Sequence, residues 1–321
     1  MHRSFPRIAA LAATGLALVA AGCGGASDST DGADAGSSSG SKSTLSLVAY
    51  STPQVVYDEL IPAFEKTTAG EGIGFKTSFG ASGDQSRAVE AGQKADVVTF
   101  STEPDMTRLQ DAGLVDDFQK VSTSQVSFIV RKGNPKNIRN WDDLLKPGVS
   151  VVTPNPFTSG AAKWNLMGAF AYGGIDYVDK LIKDHVKVQD KSGREALQTF
   201  TSGTGDVLLS YYYEAITAQK KGEELDVVVP EDTLQIDLLI AKTKTAGEGT
   251  DAFIDYATGP EGQKFFADWG YDPPSGPLKP AKNLKTIEDI GGWKKLNKEL
   301  FDPEAGSIAK IEEEAGVSTA K

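Results

Sequence analysis

Three observations predict an α/β fold. Short, wholly apolar runs of strand length recur along the chain, as at residues 95–100 (ADVVTF), 148–152 (GVSVV) and 206–210 (DVLLS). Between them lie stretches whose apolar residues fall three and four apart, the spacing of one helix face. The length, 321 residues, exceeds one ordinary domain of roughly 100–200 residues and suits two. Apolar strands alternating with helices point to parallel sheets covered on both faces.

The elements follow in order. Residues 45–50 (LSLVAY) read as a strand, and Val55, Val56, Leu60, Ile61 and Phe64 as the helix after it. A strand at 73–78 leads through Gly80, Ala81, Ser82 and Gly83 into a helix carrying Ala88, Val89 and Ala91. After the buried strand 95–100 comes a short helix through Met106, Leu109 and Ala112, ended by Gly113. Strand 126–130 closes at Lys132, Gly133, Asn134 and Pro135. Strand 148–152, helix 161–172, strand 186–189 and helix 194–201 come next. Strands 206–210, 225–229 and 235–241 are followed by helices at 250–256 and 260–269.

Composition removes several classes of function. With 39% hydrophobic and 24% charged residues the chain can bury a core. A net charge of −11 argues against nucleic acid as a partner. One cysteine allows no internal disulfide and no cysteine zinc cluster, and two histidines, His2 and His185, supply no multi-histidine metal site. No phosphate loop, no HExxH and no GxSxG elbow between a strand and a helix is present. His185, beside Lys183 and Asp184, reads as a solvated residue at a strand entrance rather than a triad member. No catalytic residue, cofactor or metal is expected.

The amino terminus has the features of an export signal. Arg3 and Arg7 precede an apolar run from Ile8 to Ala21 that is too short to span a membrane, and small residues follow. Cys23, after Val19, Ala20, Ala21 and Gly22, resembles the lipobox cysteine of bacterial lipoproteins, with Ala20 where leucine is usual. Residues 1–22 are therefore read as a signal peptide, and residues 23–44 as a lipidated cysteine with a flexible tether of Gly, Ser, Ala and Asp. Loss of Arg3 and Arg7 with the leader makes the mature chain two charges more negative.

Two loops suit an anion. Gly80 to Gly83 and Thr158 to Ala161 each follow a strand, precede a helix and consist of small hydroxyl residues, alanine and glycine. A helix start offers unpaired backbone N–H groups and the positive end of the dipole. Taken singly, Ser82 and Ser159 read as ordinary N-caps.

A series of ordered blocks then identifies a family. They are 130–135 (VRKGNP), 141–144 (WDDL), 146–151 (KPGVSV), 153–156 (TPNP), Ser159 and Gly160, 163–165 (KWN), 205–208 (GDVL), 260–263 (PEGQ) and 291–293 (GGW). From about Leu45 to about Trp293 the chain closely resembles the bacterial sulfate/thiosulfate solute-binding proteins of ATP-driven importers. The resemblance implies a two-lobed periplasmic-binding-protein-like fold of type II, with a ligand cleft between lobes joined by two crossover strands. Residues 45–126 and 231–321 would form lobe I, and residues 127–230 lobe II.

The resemblance also implies a site of neutral donors for a dehydrated anion. Matched position by position, the contacts fall on Ser51, Ser82, Ser159, Gly160, Ala161, Gly193 and Tyr211. Ser51 stands where the family commonly has Asp, and Tyr211 where it has Trp, so a phenol would replace an indole donor. The implied ligand is sulfate or thiosulfate, and the implied partner is the membrane permease of the importer. The receptor would be monomeric, extracytoplasmic, and held to the membrane only by its lipid. With no titratable contact, its affinity would be flat from about pH 5 to 8. One alternative is a ferric-iron-binding transport protein that uses Tyr211, Tyr212 and Tyr213 as phenolate ligands. Another, of a different class, is a cleft hydrolase on the same fold.

Overall fold

The computed structural model describes residues 43–319; the expected leader, Cys23 and the tether through residue 42 lie outside the described residues. The chain runs β1 (Ser43–Tyr50), α1 (Gln54–Glu65), β2 (Ile73–Gly80), α2 (Ser82–Glu90), β3 (Val97–Phe100), α3 (Glu103–Asp111), β4 (Gln119–Arg131) and α4 (Trp141–Leu144). It continues through β5 (Val151–Pro154), α5 (Gly160–Lys180), a π-turn (Leu181–His185), β6 (Val186–Asp190), α6 (Gly193–Thr201), β7 (Val207–Tyr211), α7 (Tyr212–Lys220) and β8 (Leu225–Val228). It ends with β9 (Asp232–Lys242), α8 (Thr250–Thr258), α9 (Pro260–Asp268), β10 (Asn283–Lys285), α10 (Trp293–Phe301) and α11 (Ser307–Glu314).

The fold is α/β, as the alternation of patterns predicts. Leu45 to Tyr50 are buried throughout β1, and α1 turns Val56, Tyr57, Leu60, Ile61 and Phe64 inward. Their rings and methyls meet α8 and α9; Phe64 packs edge-on against Phe253 at 5.3 Å and Tyr57 against Phe266 at 5.9 Å. A second cluster joins Phe128, Trp141 and Tyr177, with Phe128 edge-on to Trp141 at 4.8 Å. The α6 start follows a capping box, in which Ser192 accepts from Glu195 N–H and the Glu195 carboxylate caps Ser192 N–H.

The strands lie in the order β2-β1-β3-β9-β4-β7-β5-β6, with β10 added to β9 and β8 to β4. The expected parallel pairing is found in the flanks, where β1 pairs in parallel with β2 and β3, and β5 with β6 and β7. The centre is antiparallel, because β4 carries the chain one way through the molecule and β9 brings it back. β4 changes partners along its length. Residues 119–125 pair with β9, and residues 126–131 with β7 and β8.

Several elements differ from the sequence reading. Ser43 and Thr44, placed in the tether, open β1 and pair with Ile73 and Gly74. α5 runs to Lys180 through a break at Gly174 (φ 71°), a backbone angle that glycine adopts without strain. The helices α10 and α11, which the sequence reading did not identify, pack against α3, α5 and the π-turn. Trp293 meets Trp164 edge-on at 4.8 Å, Glu312 accepts from Gln189 Nε2 at 2.6 Å, and Glu314 pairs with Lys183 at 2.7 Å.

Candidate functional site

Three helices begin at one place. α2, α5 and α6 each follow a strand, and they start at Ser82, Gly160 and Gly193. A Cβ on Gly160 would lie 2.2 Å from Ser101 Oγ, 2.8 Å from Thr102 Cγ2 and 3.4 Å from Ser82 Cβ, so only glycine lets α5 come this close. Beside it, a Cβ on Gly193 would sit 3.4 Å from Thr52 Cγ2, 3.6 Å from Ala161 Cβ and 3.6 Å from Glu214 Oε1. Gly83 N–H donates to Thr158 O at 3.0 Å, which binds the α2 start to the loop before α5. The first-turn amides of these helices have no intrahelical acceptor.

The remaining expected site residues border the same place. Ser51 follows β1, is buried, and its carbonyl accepts from Arg194 Nη2. Ser159 is the N-cap of α5, yet its hydroxyl makes no cap bond. Tyr211 ends β7 fully buried, and its Oη has no partner of proper geometry. Ser101 is close enough to act on that phenol, with Tyr50, Glu214 and Asp105 as titratable neighbours. The structure therefore brings all seven expected positions together: Ser51, Ser82, Ser159, Gly160, Ala161, Gly193 and Tyr211.

Sequence reasoning missed the groups that support them. Asp105 accepts from Ser82 Oγ and from Thr102 Oγ1, both at 2.7 Å. Thr102 and Asp105 have the spacing of a helix cap, the only local signal that was available. Glu214, third residue of α7, accepts from the Ser210 hydroxyl and from Tyr211 N–H. Burial pushes its carboxyl up to about 7, against the pull of those bonds and of Arg194. Thr52 Oγ1 and Tyr213 Oη hydrogen-bond at 2.5 Å, and Trp164 Nε1 donates to Ser101 O at 2.6 Å.

Tyr212 is half-buried, whereas Tyr213 is buried and stacks on Tyr271 with centroids 3.6 Å apart. Burial holds the phenols of Tyr211 and Tyr213 well above their ordinary range. Among the described residues no group of three His, Cys, Asp or Glu side chains is placed to hold a metal. His185 lies in the π-turn, its Nδ1 3.0 Å from Val149 O. A cavity of about 210 Å³ opens onto Gly83, Ser159 and Gly160 and is rimmed by Arg87, Arg108 and Lys163.

Comparison with known proteins places this geometry. The model of a family described as bacterial extracellular solute-binding protein matches residues 45–272. The sulfate-binding protein of Synechococcus elongatus is 36% identical, over 97% of this chain and 97% of its own. The sulfate-binding protein of Escherichia coli is 34% identical, over 79% of this chain and 88% of its own. Among solved structures, the sulfate-binding protein SubI from Mycobacterium tuberculosis superposes with a TM-score of 0.76 at 41% identity, covering 81% of this chain and 100% of that one.

Proposed function

We propose, from the premise that this chain belongs to the bacterial extracellular solute-binding protein family, that it is a receptor for sulfate, and for thiosulfate as the related anion. The observation that carries the reading is the meeting of three helix starts around Gly160 and Gly193, within reach of the buried hydroxyls of Ser82, Ser159 and Tyr211. None of the seven residues carries a charge, so binding comes from oriented neutral donors. Each hydrogen bond to a charged ligand is worth about 1.5–3 kcal/mol. Sulfate is acceptor-only near neutral pH and fits such a site. Hydrogen phosphate brings a proton that the donors cannot receive, at a cost of about 1–3 kcal/mol.

The lobes are residues 45–126 with 231–321, and residues 127–230. The change of partner along β4 at Gln125 and Val126 supports the first boundary. The receptor acts outside the cytoplasm as a monomer, held by a lipid on Cys23, and hands its anion to the permease of an ATP-driven importer; it catalyses nothing. Among the described residues no helix is long and apolar enough to cross a membrane. The likeness to sulfate-binding proteins disfavours the iron reading.

A thermal-shift panel on the mature chain tests the proposal with sulfate, thiosulfate, molybdate, phosphate and ferric citrate. A specific ligand at about 100 times its dissociation constant adds roughly 2.7 kcal/mol of stability. Sulfate should shift the melt and phosphate should not. A shift with ferric citrate alone would reject the sulfate reading.

A further inference from the structure

We infer that Ser101 is an additional anion donor, acting as a pair with Tyr211; the inference rests on the sulfate reading above. Ser101 lies between β3 and α3 and is 1% exposed. Its backbone is held at both ends. The N–H donates to Ser82 Oγ at 3.2 Å, and the carbonyl accepts the Trp164 indole at 2.6 Å. The side chain is thus presented from a fixed position, with only the hydroxyl rotor left to choose a partner. Ser101 Oγ faces the first residue of α5, 2.2 Å from where a Cβ on Gly160 would stand. It is therefore set among three of the expected contacts, Ser82, Gly160 and Tyr211.

The donor count supplies the reason. Ser101 and Tyr211 bring two hydroxyl protons into a buried space. If one hydroxyl donates to the other, one proton is left for a further acceptor. The nearby carboxylate oxygen, Asp105 Oδ2, already receives Ser82 and Thr102. Tyr211 Oη has no partner of proper geometry. A tetrahedral oxyanion, which accepts at every oxygen, satisfies both hydroxyls at once. The two groups serve one ligand and depend on each other's orientation.

Sulfate titration calorimetry on the mature chain and on Ser101→Ala, Tyr211→Phe and the double variant tests this. Each single change should weaken sulfate about tenfold or more. The double variant should lose less than the product of the two, because the partners are coupled. Ser101→Cys keeps the bulk with a weaker donor and should also lose affinity, with its ligand-free melt unchanged. Retention of sulfate affinity within twofold by Ser101→Ala or Ser101→Cys would overturn the inference, as would a double variant whose losses simply multiply. A wild-type chain that ignores sulfate would instead remove the receptor reading on which the inference stands.

Discussion

Ser82 gives its hydroxyl proton to Asp105. The two oxygens lie 2.7 Å apart, both residues are buried, and Ser82 Oγ also accepts Ser101 N–H at 3.2 Å. Ser159, at the start of α5, has no comparable bond. Two serines with the same expected role are thus held very differently.

Ser82→Ala should therefore act first on stability. It removes a buried hydrogen bond to a carboxyl and leaves Ser101 N–H without its acceptor, at about 1.5–3 kcal/mol. Ser159→Ala should leave the melt nearly unchanged and weaken sulfate about ten- to a hundredfold. Thermal melts and calorimetry on both variants check the split. The reverse ranking would show that Ser82 is the principal ligand hydroxyl.

The two other tyrosines of the run separate as well. Tyr213 Oη ties α7 to Thr52, just after β1, at 2.5 Å, whereas Tyr212 is half-buried. Tyr213→Phe should destabilise by about 0.5–1.5 kcal/mol while keeping the stack on Tyr271. Tyr212→Phe should change neither stability nor sulfate affinity. Equal effects in urea unfolding would contradict this assignment.

Glu214 changes the expected pH profile. The sequence assigns no titratable group to the anion, yet Glu214 Oε1 lies 3.6 Å from where a Cβ on Gly193 would be. Burial raises its pKa to about 7, and a dianion beside it raises it further, so binding draws a proton into the site. Arg194 and the phenols of Tyr211, Tyr213 and Tyr271 are the other titratable groups facing it. Affinity should be level below about pH 6 and fall severalfold by about pH 8.5. Glu214→Gln should flatten the curve, and a wild-type profile flat to pH 8.5 would reject the coupling.

Glu312 makes a purely structural counterpart. It is buried in α11, its Oε1 has no partner, and burial lifts its pKa to about 7 from an ordinary 4.5. The folded state then holds a proton that the unfolded chain releases between those values. Its contribution is fully present below about pH 4.5 and is lost as pH rises through 7, with a slope of at most about 1.4 kcal/mol per pH unit. Glu312→Gln should raise the melting temperature at pH 8 and leave sulfate affinity unchanged. An unaltered pH dependence of the melt would show that another group carries the proton.

Cys23, outside the described residues, is open to a direct check. Mass spectrometry of membrane fractions should find a diacylglyceryl group on Cys23, and Cys23→Ala should release the protein. A soluble wild type with an unmodified thiol would contradict the anchor.

The elements that sequence made legible are those whose side chains follow one period and whose ends are marked. β1, α1 and α6 are of this kind: an apolar run, a stripe at helical spacing, and the Ser192–Glu195 cap. α7 was not legible, because tyrosines such as Tyr212 and Tyr213 favour strands over helices and Ala215, Thr217 and Ala218 set up only a weak stripe. In the first half of β4, Ser122, Thr123, Ser124 and Gln125 are polar yet buried, since they lie between neighbouring segments. Of the expected contacts, Ser82, Ser159, Gly160 and Ala161 lie in loops that the sequence marks, whereas Ser51, Gly193 and Tyr211 follow only from the family resemblance. Asp105, Ser101 and Glu214 had no such signal, since they meet the expected contacts only through side chains that join distant segments.

β9 lies between β3 and β4, although it is made more than a hundred residues after both. Until Lys242 has been synthesised, the edges of those two strands have no lasting neighbour, and the sheet cannot close. Pairing across such a separation is slow, because a long loop must be ordered before the contacts reward it. Joining the two flanks into one sheet is therefore a late step, open only to a chain that has already been made through Lys242.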